Sequence, residues 1–392
     1  METLQTSLRR RFTYAMLFYV IGFALCFTLT SVLLPDLSAA FALPPRLEGT
    51  MSSITSVGSL LALIRMLFLQ GRIRKSWVLA GSGLVMLVCI LLKGLVPSYA
   101  LLLGVFFVFG IALGYSDCNC NAFIVDLNGS DSSRYLGALH AFSGLGAMLA
   151  PLFITWIRSR ETWQNTYFIM AGIIAVPFLC FLFTCIYMRR RLHTGTKPEI
   201  RLTLSDIREY LTTRENLVVL ACLLLYTIHF NGLIVWVTLY TERVLGADSL
   251  RAYPLAVFWI FAALSRFFAP RTGVEPRKLF LIGTPVGALI LLAGILSRNP
   301  VVLILCCGCC GLLSGPGIPT LIGIGCARYQ DRSGLPSSLL VIMQYIASTV
   351  SPLIMAAISD AASLQESMIF TACCALAAAA VGLLMKPASA GA

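Results

Sequence analysis

Asp117 is the residue whose type and setting most invite chemistry. It lies in the run Gly110-Ile-Ala-Leu-Gly114-Tyr-Ser-Asp117-Cys-Asn-Cys-Asn121, with long apolar sequence on its N-terminal side. Elsewhere, carboxylates fall between or near the ends of the apolar runs. Placing one in the middle of a bilayer costs roughly 2.5 to 3.5 kcal/mol, so an acid kept there is a functional candidate by default. Its carboxyl group can take up and release a proton. Gly110, Gly114, Asp117 and Asn121 recur at helical spacing and share one face. The two glycines let another helix or a ligand approach that face. The competing reading is a protonated acid that makes one structural hydrogen bond between helices.

Other polar groups inside apolar runs extend this set. His140 can donate to a solute hydroxyl or exchange a proton with Asp117, or it can be a neutral imidazole bonded to a neighbouring helix. The amides of Asn121, Asn231 and Gln344 suit hydroxylated solutes without charge, and they also bridge helices. Trp236 and Trp259 can stack on the apolar face of a sugar, although tryptophan is equally at home near a membrane interface. Gly315, Pro316 and Pro319 mark a point where a helix can bend. Arg65 and Arg266 raise the idea of an anion site. Arg65 lies about five residues, or roughly 7 Å, from the end of its run. A guanidinium can snorkel that far, so a structural role is the reading adopted for both arginines.

Cys306, Cys307, Cys309 and Cys310 form two overlapping C-x-x-C patterns. On one helix they surround the cylinder and do not converge into the tetrahedron that zinc needs. They are read as small packing residues beside Gly308 and Gly311, and no metal or cofactor is expected. No Walker loop, nucleophile elbow or H-E-x-x-H pattern is present, so ATP-driven movement and hydrolysis find no support.

The elements that position these residues follow from composition. Of 392 residues, 58% are apolar and 12% are charged, about half the usual charged share. That excludes a soluble enzyme, a nucleic-acid-binding protein and a disordered chain. Apolar runs of spanning length, with at most an isolated charge, occur at about 13–34, 50–69, 77–96, 99–124, 135–157, 165–187, 216–239, 252–270, 278–296, 299–325, 335–358 and 367–385. The first run lacks a small-residue cleavage site and is read as a true span. Helices are the only assignment that fits, since alternating ten-residue strands are absent. The expected fold is an all-α integral membrane protein with twelve transmembrane helices.

The 29 Lys and Arg residues set the orientation. Most fall on one side: Arg9 to Arg11, Arg72, Arg74, Lys75, Arg134, the central loop (Arg189, Arg190, Arg191, Lys197, Arg201, Arg208, Arg214), Arg271, Arg277, Lys278, Arg328, Arg332 and Lys386. Only Arg46, Lys93, Arg158, Arg160, Arg243, Arg251 and Arg298 fall opposite. By the positive-inside rule both termini face the cytoplasm. Residues 1–188 form an N-terminal six-helix bundle, 189–215 a cytoplasmic linker with a short helix near Leu204–Leu211, and 216–392 a C-terminal six-helix bundle. The halves match at an offset of 201 residues: Arg65 with Arg266, Gly110 and Gly114 with Gly311 and Gly315, Pro151-Leu152 with Pro352-Leu353. Two parallel six-helix repeats are the build of the major facilitator fold.

Several segments resemble the fucose permease branch of the major facilitator superfamily, over most of the chain. Span four has the Gly-rich helix with an acid followed four positions later by Asn. Span five reads Leu136-Gly-Ala-Leu-His140-Ala-Phe-Ser-Gly144-Leu-Gly146, with His140 where the family often has His or Gln. Span seven carries Tyr226, Trp236 and Tyr240, span eight Phe258-Trp259 and Arg266, and span ten Gly315-Pro-Gly-Ile-Pro319-Thr320. In three places the chain departs. Ser31 replaces a carboxylate four residues before the Leu34-Pro35 pair that ends the family's first helix, Phe230 replaces a frequent Glu, and Gln70 replaces an Asp.

The resemblance implies a secondary active transporter that moves a small polar solute, a sugar or related neutral compound, by alternating access. Protons are the candidate coupling ion, carried by Asp117 with His140. The expected partners are the solute and the lipid bilayer, with no nucleic acid, and the working form is a monomer in a bacterial inner membrane. Two alternatives stand beside it: a drug or metabolite exporter of the same superfamily, and a membrane thiol oxidoreductase using the Cys306–Cys310 cluster. A non-transporting scaffold would need a partner surface, which loops this short do not offer.

Overall fold

The structure is a computed structural model that describes residues 2–69, 74–128, 132–188, 204–327 and 334–386. Gln70, Arg72, Arg189, Arg190, Arg191, Lys197, Arg201, Arg328 and Arg332 lie outside the described residues, as does most of the central linker. Fifteen α-helices follow in order among the described residues: α1 (Glu2–Ala40), α2 (Pro45–Glu48), α3 (Thr50–Leu69), α4 (Lys75–Leu95), α5 (Tyr99–Asn128), α6 (Ser132–Arg158), α7 (Trp163–Met188), α8 (Leu204–Thr212), α9 (Arg214–Arg243), α10 (Tyr253–Phe268), α11 (Pro276–Leu296), α12 (Pro300–Ser314), α13 (Gly317–Ala327), α14 (Gly334–Ala361) and α15 (Leu364–Gly382). Twelve helical stretches among them are long and apolar enough to cross a membrane, and no strand occurs among the described residues.

The chain forms two compact units. The first comprises Met1–Ala42 with Ile54–Glu199; the second comprises Leu43–Ser53 with Ile200–Ala392. Within the first, α1 packs against α6 and α7, and α4 against α5 and α7. The rings of Phe12, Phe123 and Phe181 meet edge to face in its core. Buried Tyr19 ties three helices together, its hydroxyl bonding the Ser116 hydroxyl at 2.7 Å and the Leu79 carbonyl at 3.1 Å. A buried phenol is kept only with such a partner.

α1 runs past the expected end of its span. Pro35 lacks the N–H that would reach the Ser31 carbonyl, yet the helix continues to Ala40. Burial carries it: Leu37 and Ser38 are almost fully enclosed. Asp36, nine-tenths buried at the side chain, receives the Arg158 guanidinium at 2.8 Å. Tertiary contacts thus outweigh the one hydrogen bond that proline forfeits.

In the second unit, α9 packs against α14 and α15, α10 against α12, and α11 against α12 and α15. The segment Leu43–Ser53, with the short helix α2, belongs to this unit and packs on α14. A Cβ on Gly49 would collide with the Pro352 carbonyl, so only glycine permits that approach. Glu48, with a side chain 1% exposed, pairs with Arg243 at 2.5 Å. The short helix expected near Leu204–Leu211 is α8. Side chains cap several helix starts: Asn299 accepts from Val301 N and Val302 N ahead of Pro300 in α12, Thr162 accepts from Asn165 N on α7, and Ser363 accepts from Glu366 N on α15 while its hydroxyl donates to the Glu366 carboxylate.

Candidate functional site

In the first unit, the glycine face of α5 lies against α3. A Cβ on Gly110 would strike the Thr55 carbonyl oxygen, and one on Gly114 would come within 2.6 Å of the Ser59 carbonyl oxygen. The Ser59 hydroxyl donates to the Gly110 carbonyl at 2.8 Å. Asp117 and Asn121 continue this face, one and two turns beyond Gly114. Both are half-buried. The Asn121 Oδ1 is buried and accepts no hydrogen bond among the described residues, a state that normally costs free energy and calls for explanation. His140, on α6, is exposed, and neither it nor Asp117 lacks partners. Asn119 turns away and donates to its own helix at Tyr115.

The second unit repeats the arrangement. A Cβ on Gly311 would strike the Phe258 carbonyl, and one on Gly315 would come within 2.8 Å of the Ala262 Cα, so α12 seats on α10 as α5 seats on α3. Here, however, the span breaks. α12 ends at Ser314, residues 315 and 316 turn, and α13 begins at Gly317. The cause is local. Pro316 cannot donate to the Leu312 carbonyl, nor Pro319 to the Gly315 carbonyl. Inside a membrane each freed carbonyl needs another donor, and α9 and α10 supply donors here. The Ser265 hydroxyl donates to Leu312 O, Arg266 Nε donates to Gly315 O at 2.9 Å, and the Tyr226 hydroxyl donates to Ser314 O.

Arg266 therefore takes a structural role, as read from the sequence, by capping the broken helix. Its guanidinium carbon stands 5.7 Å from the Phe230 ring centroid and 5.8 Å from that of Trp259, within cation–π range. Arg65, its counterpart in the first unit, is exposed. Trp259 is 7% exposed, meets Phe230 edge to face at 5.7 Å, and has a buried Nε1 without an acceptor among the described residues.

The remaining sequence candidates take varied places. Asn231 bridges α9 and α14, its amide donating to the Ser348 hydroxyl at 2.7 Å and to Thr227 O at 3.2 Å. Gln344 is half-buried on α14. Trp236 is fully enclosed, so no face of its ring is open to a solute in this conformation. The four clustered cysteines are all free, with Cys307 and Cys310 buried and Cys309 exposed. They diverge around α12, and among the described residues no group of His, Cys, Asp and Glu could hold a metal ion.

Three charged or titratable groups were not singled out from the sequence. His229 is fully buried, with Nδ1 3.0 Å from Thr371 O and Nε2 3.9 Å from Cys310 Sγ. Glu48 is buried against Arg243. Lys93, counted above among the residues of the sparse side, is 1% exposed near the end of α4, its ammonium 3.8 and 3.6 Å from the Phe106 and Phe109 ring centroids. Its place near the end of an apolar run hid it, because a lysine there ordinarily snorkels.

The comparisons with known proteins agree with this architecture. The solved structure of a bacterial homolog of the human lysosomal transporter Spinster, inward-facing and unoccupied, is similar at 15% identity and a TM-score of 0.78, covering 96% of this chain and 97% of that one. The nucleoside transporter NupG is similar at 11% identity and a TM-score of 0.79, covering 96% and 99%. At such identities the likeness concerns the fold alone. No curated protein sequence matches the chain significantly. The family model of the Major Facilitator Superfamily matches residues 16–352. Twelve candidate spans, a glycine face seated on a neighbouring helix within each unit, and that match lead to one conclusion: the chain belongs to the Major Facilitator Superfamily.

Proposed function

We propose that this protein is a secondary active transporter, related to the fucose permease branch, that carries a small hydroxyl-rich solute by alternating access and couples it to protons through Asp117. The observation that carries the reading is the buried, unpartnered Oδ1 of Asn121, one helical turn from Asp117 on the same face of α5. An acceptor left dry and unbonded is suited to receive a solute hydroxyl. A protonatable acid beside it links solute binding to proton binding, and a proton drives accumulation only if it shifts the balance between conformations. His140, on the neighbouring helix α6, is the second proton carrier in this reading.

Both termini are placed on the cytoplasmic side of a bacterial inner membrane. The sparse side of the charge pattern supports this orientation, because its cations are largely neutralised or enclosed. Arg158 pairs with Asp36, Arg243 with Glu48, and Arg251 with Glu242 and Asp248, while Lys93 is caged by rings. The exporter reading would favour lipophilic cations, and the inward-turned Arg266 weighs against them.

Melting temperature in detergent, read against hexoses, deoxyhexoses, amino acids and lipophilic cations, tests the reading. A ligand of the folded state adds about 2.7 kcal/mol at a hundredfold excess over its Kd. A sugar-dependent shift that disappears in Asn121→Ala supports it. A shift with lipophilic cations alone overturns it in favour of export.

A further inference from the structure

Arg266 spends only one of its donors on the protein. Nε caps the Gly315 carbonyl, and among the described residues the remaining guanidinium N–H groups meet no acceptor and no carboxylate within ion-pair distance. The residue as a whole is half-buried. A cation held inside a span normally pairs with a counter-charge. Phe230 and Trp259 offer only ring faces, which attract the charge without satisfying its N–H groups. Beside it lies a second unmet donor, the Trp259 indole Nε1–H, in a side chain 7% exposed. The Trp259 ring centroid stands 5.8 Å from the guanidinium carbon, so the two donors belong to neighbouring side chains. The break at Gly315–Pro316 adds a third element. α13 starts two residues beyond the carbonyl that Arg266 holds, and the positive end of a helix favours an anion near its first turn.

We propose that the free edge of Arg266 and the Trp259 N–H form an oxyanion subsite in the second unit, and that the transported solute carries a carboxylate or phosphate group bound there. The inference rests on the transporter reading above and changes the solute from a neutral sugar to an acidic, hydroxyl-rich compound such as a sugar acid or sugar phosphate. Arg266 is suited to this role because its planar fork binds an oxyanion through two parallel N–H groups. Phe230 prevents a protein carboxylate from occupying the place under the guanidinium.

The test compares gluconate, glucose 6-phosphate, glucose and inorganic phosphate at equal ionic strength, reading melting temperature and Kd on the full chain. Gluconate or glucose 6-phosphate should stabilise the protein where glucose and inorganic phosphate do not. Arg266→Gln should weaken that binding by more than about tenfold, the scale of charge-assisted hydrogen bonds. Trp259→Phe, which keeps the ring and removes the N–H, should weaken it by about threefold to tenfold. Phe230→Glu retains Arg266 and puts a carboxylate beneath it, so it should silence the anion response in a chain that keeps the α12–α13 cap.

Equal response to glucose and gluconate, or anion binding unchanged in both Arg266→Gln and Phe230→Glu, overturns the subsite. Inorganic phosphate matching the two acids assigns the site to a free ion and overturns the solute assignment. Uptake into proteoliposomes is read separately. Transport of a neutral solute that ignores these substitutions sinks the subsite alone, whereas anion binding with no uptake of any solute sinks the transporter reading alone.

Discussion

Arg266 Nε donates to the Gly315 carbonyl oxygen at 2.9 Å, the oxygen to which residue 319 would donate in an unbroken helix. Proline at 319 and 316 opens the helix, and α10 caps what they expose. The break is thus built jointly by two helices. Replacing Pro319 by Ala restores a donor that can reach Gly315 O and lets the helix run on through the break. Pro319→Ala should raise the melting temperature, lower the rate of solute exchange and leave affinity within about threefold. An exchange rate equal to wild type would show that the break does not move during transport. Stopped-flow counterflow measures it.

Lys93 is a fully enclosed cation held by ring faces. Desolvated cation–π contacts contribute about 2 kcal/mol, set against the several kcal/mol that burying a charge costs. Lys93→Met, which fills the cage with an apolar chain of similar length, should keep or raise thermal stability. Lys93→Glu, which sets an anion against the electron-rich ring faces, should lower it by about 2 kcal/mol or more. A large loss in Lys93→Met would instead show that the charge itself holds the end of α4. Thermal denaturation of the purified variants separates the cases.

The glycine faces make matched predictions in the two units. Gly110 and Gly311 each face a carbonyl oxygen of a neighbouring helix, Thr55 and Phe258 respectively. Backbone atoms cannot swing aside as a flexible side chain can, and overpacking typically costs about 1 to 3 kcal/mol. Gly110→Val and Gly311→Val should each reduce stability by at least that amount. Val at Gly81, where an added Cβ meets nothing within 4 Å, should be tolerated. Yield and melting temperature report the difference.

Asp36 is 9% exposed at its side chain and holds Arg158, itself 32% exposed. Removing Arg158 takes one cation from an enclosed carboxylate, at a cost of about 1 to 3 kcal/mol. Arg158→Gln should therefore destabilise more than the double variant Asp36→Asn/Arg158→Gln. A double-mutant cycle with no coupling would remove the pair from the account of why α1 extends beyond Pro35.

The parts of the fold legible in the sequence were those that depend on hydrophobic length. Twelve apolar runs became twelve candidate spans, because a bilayer leaves the backbone few alternatives. Gly110, Gly114, Gly311 and Gly315 were legible as a repeat, and the structure gives them equivalent seats. The end of α1 was misread: Pro35 signals a stop locally, while the burial of Leu37 and the Asp36–Arg158 pair come from other helices. The structural role read for Arg266 stands, but its partner was not legible, for a related reason. Distance from a helix end shows that a guanidinium can reach water, but its actual direction depends on the carbonyl that Pro319 frees on another helix. Lys93 and Glu48 lay near run ends, where charge is ordinary, and only tertiary packing reveals them as enclosed.

Asp117 carries the central claim, and accumulation against a gradient tests it most directly. In proteoliposomes with an imposed inward proton gradient, wild-type protein should concentrate a solute identified by the binding panel. Asp117→Asn keeps the size and hydrogen-bonding shape of the side chain but cannot exchange its proton. It should equilibrate labelled solute across the membrane at a rate near wild type and fail to accumulate it. Accumulation by Asp117→Asn to the wild-type level would contradict proton coupling through Asp117.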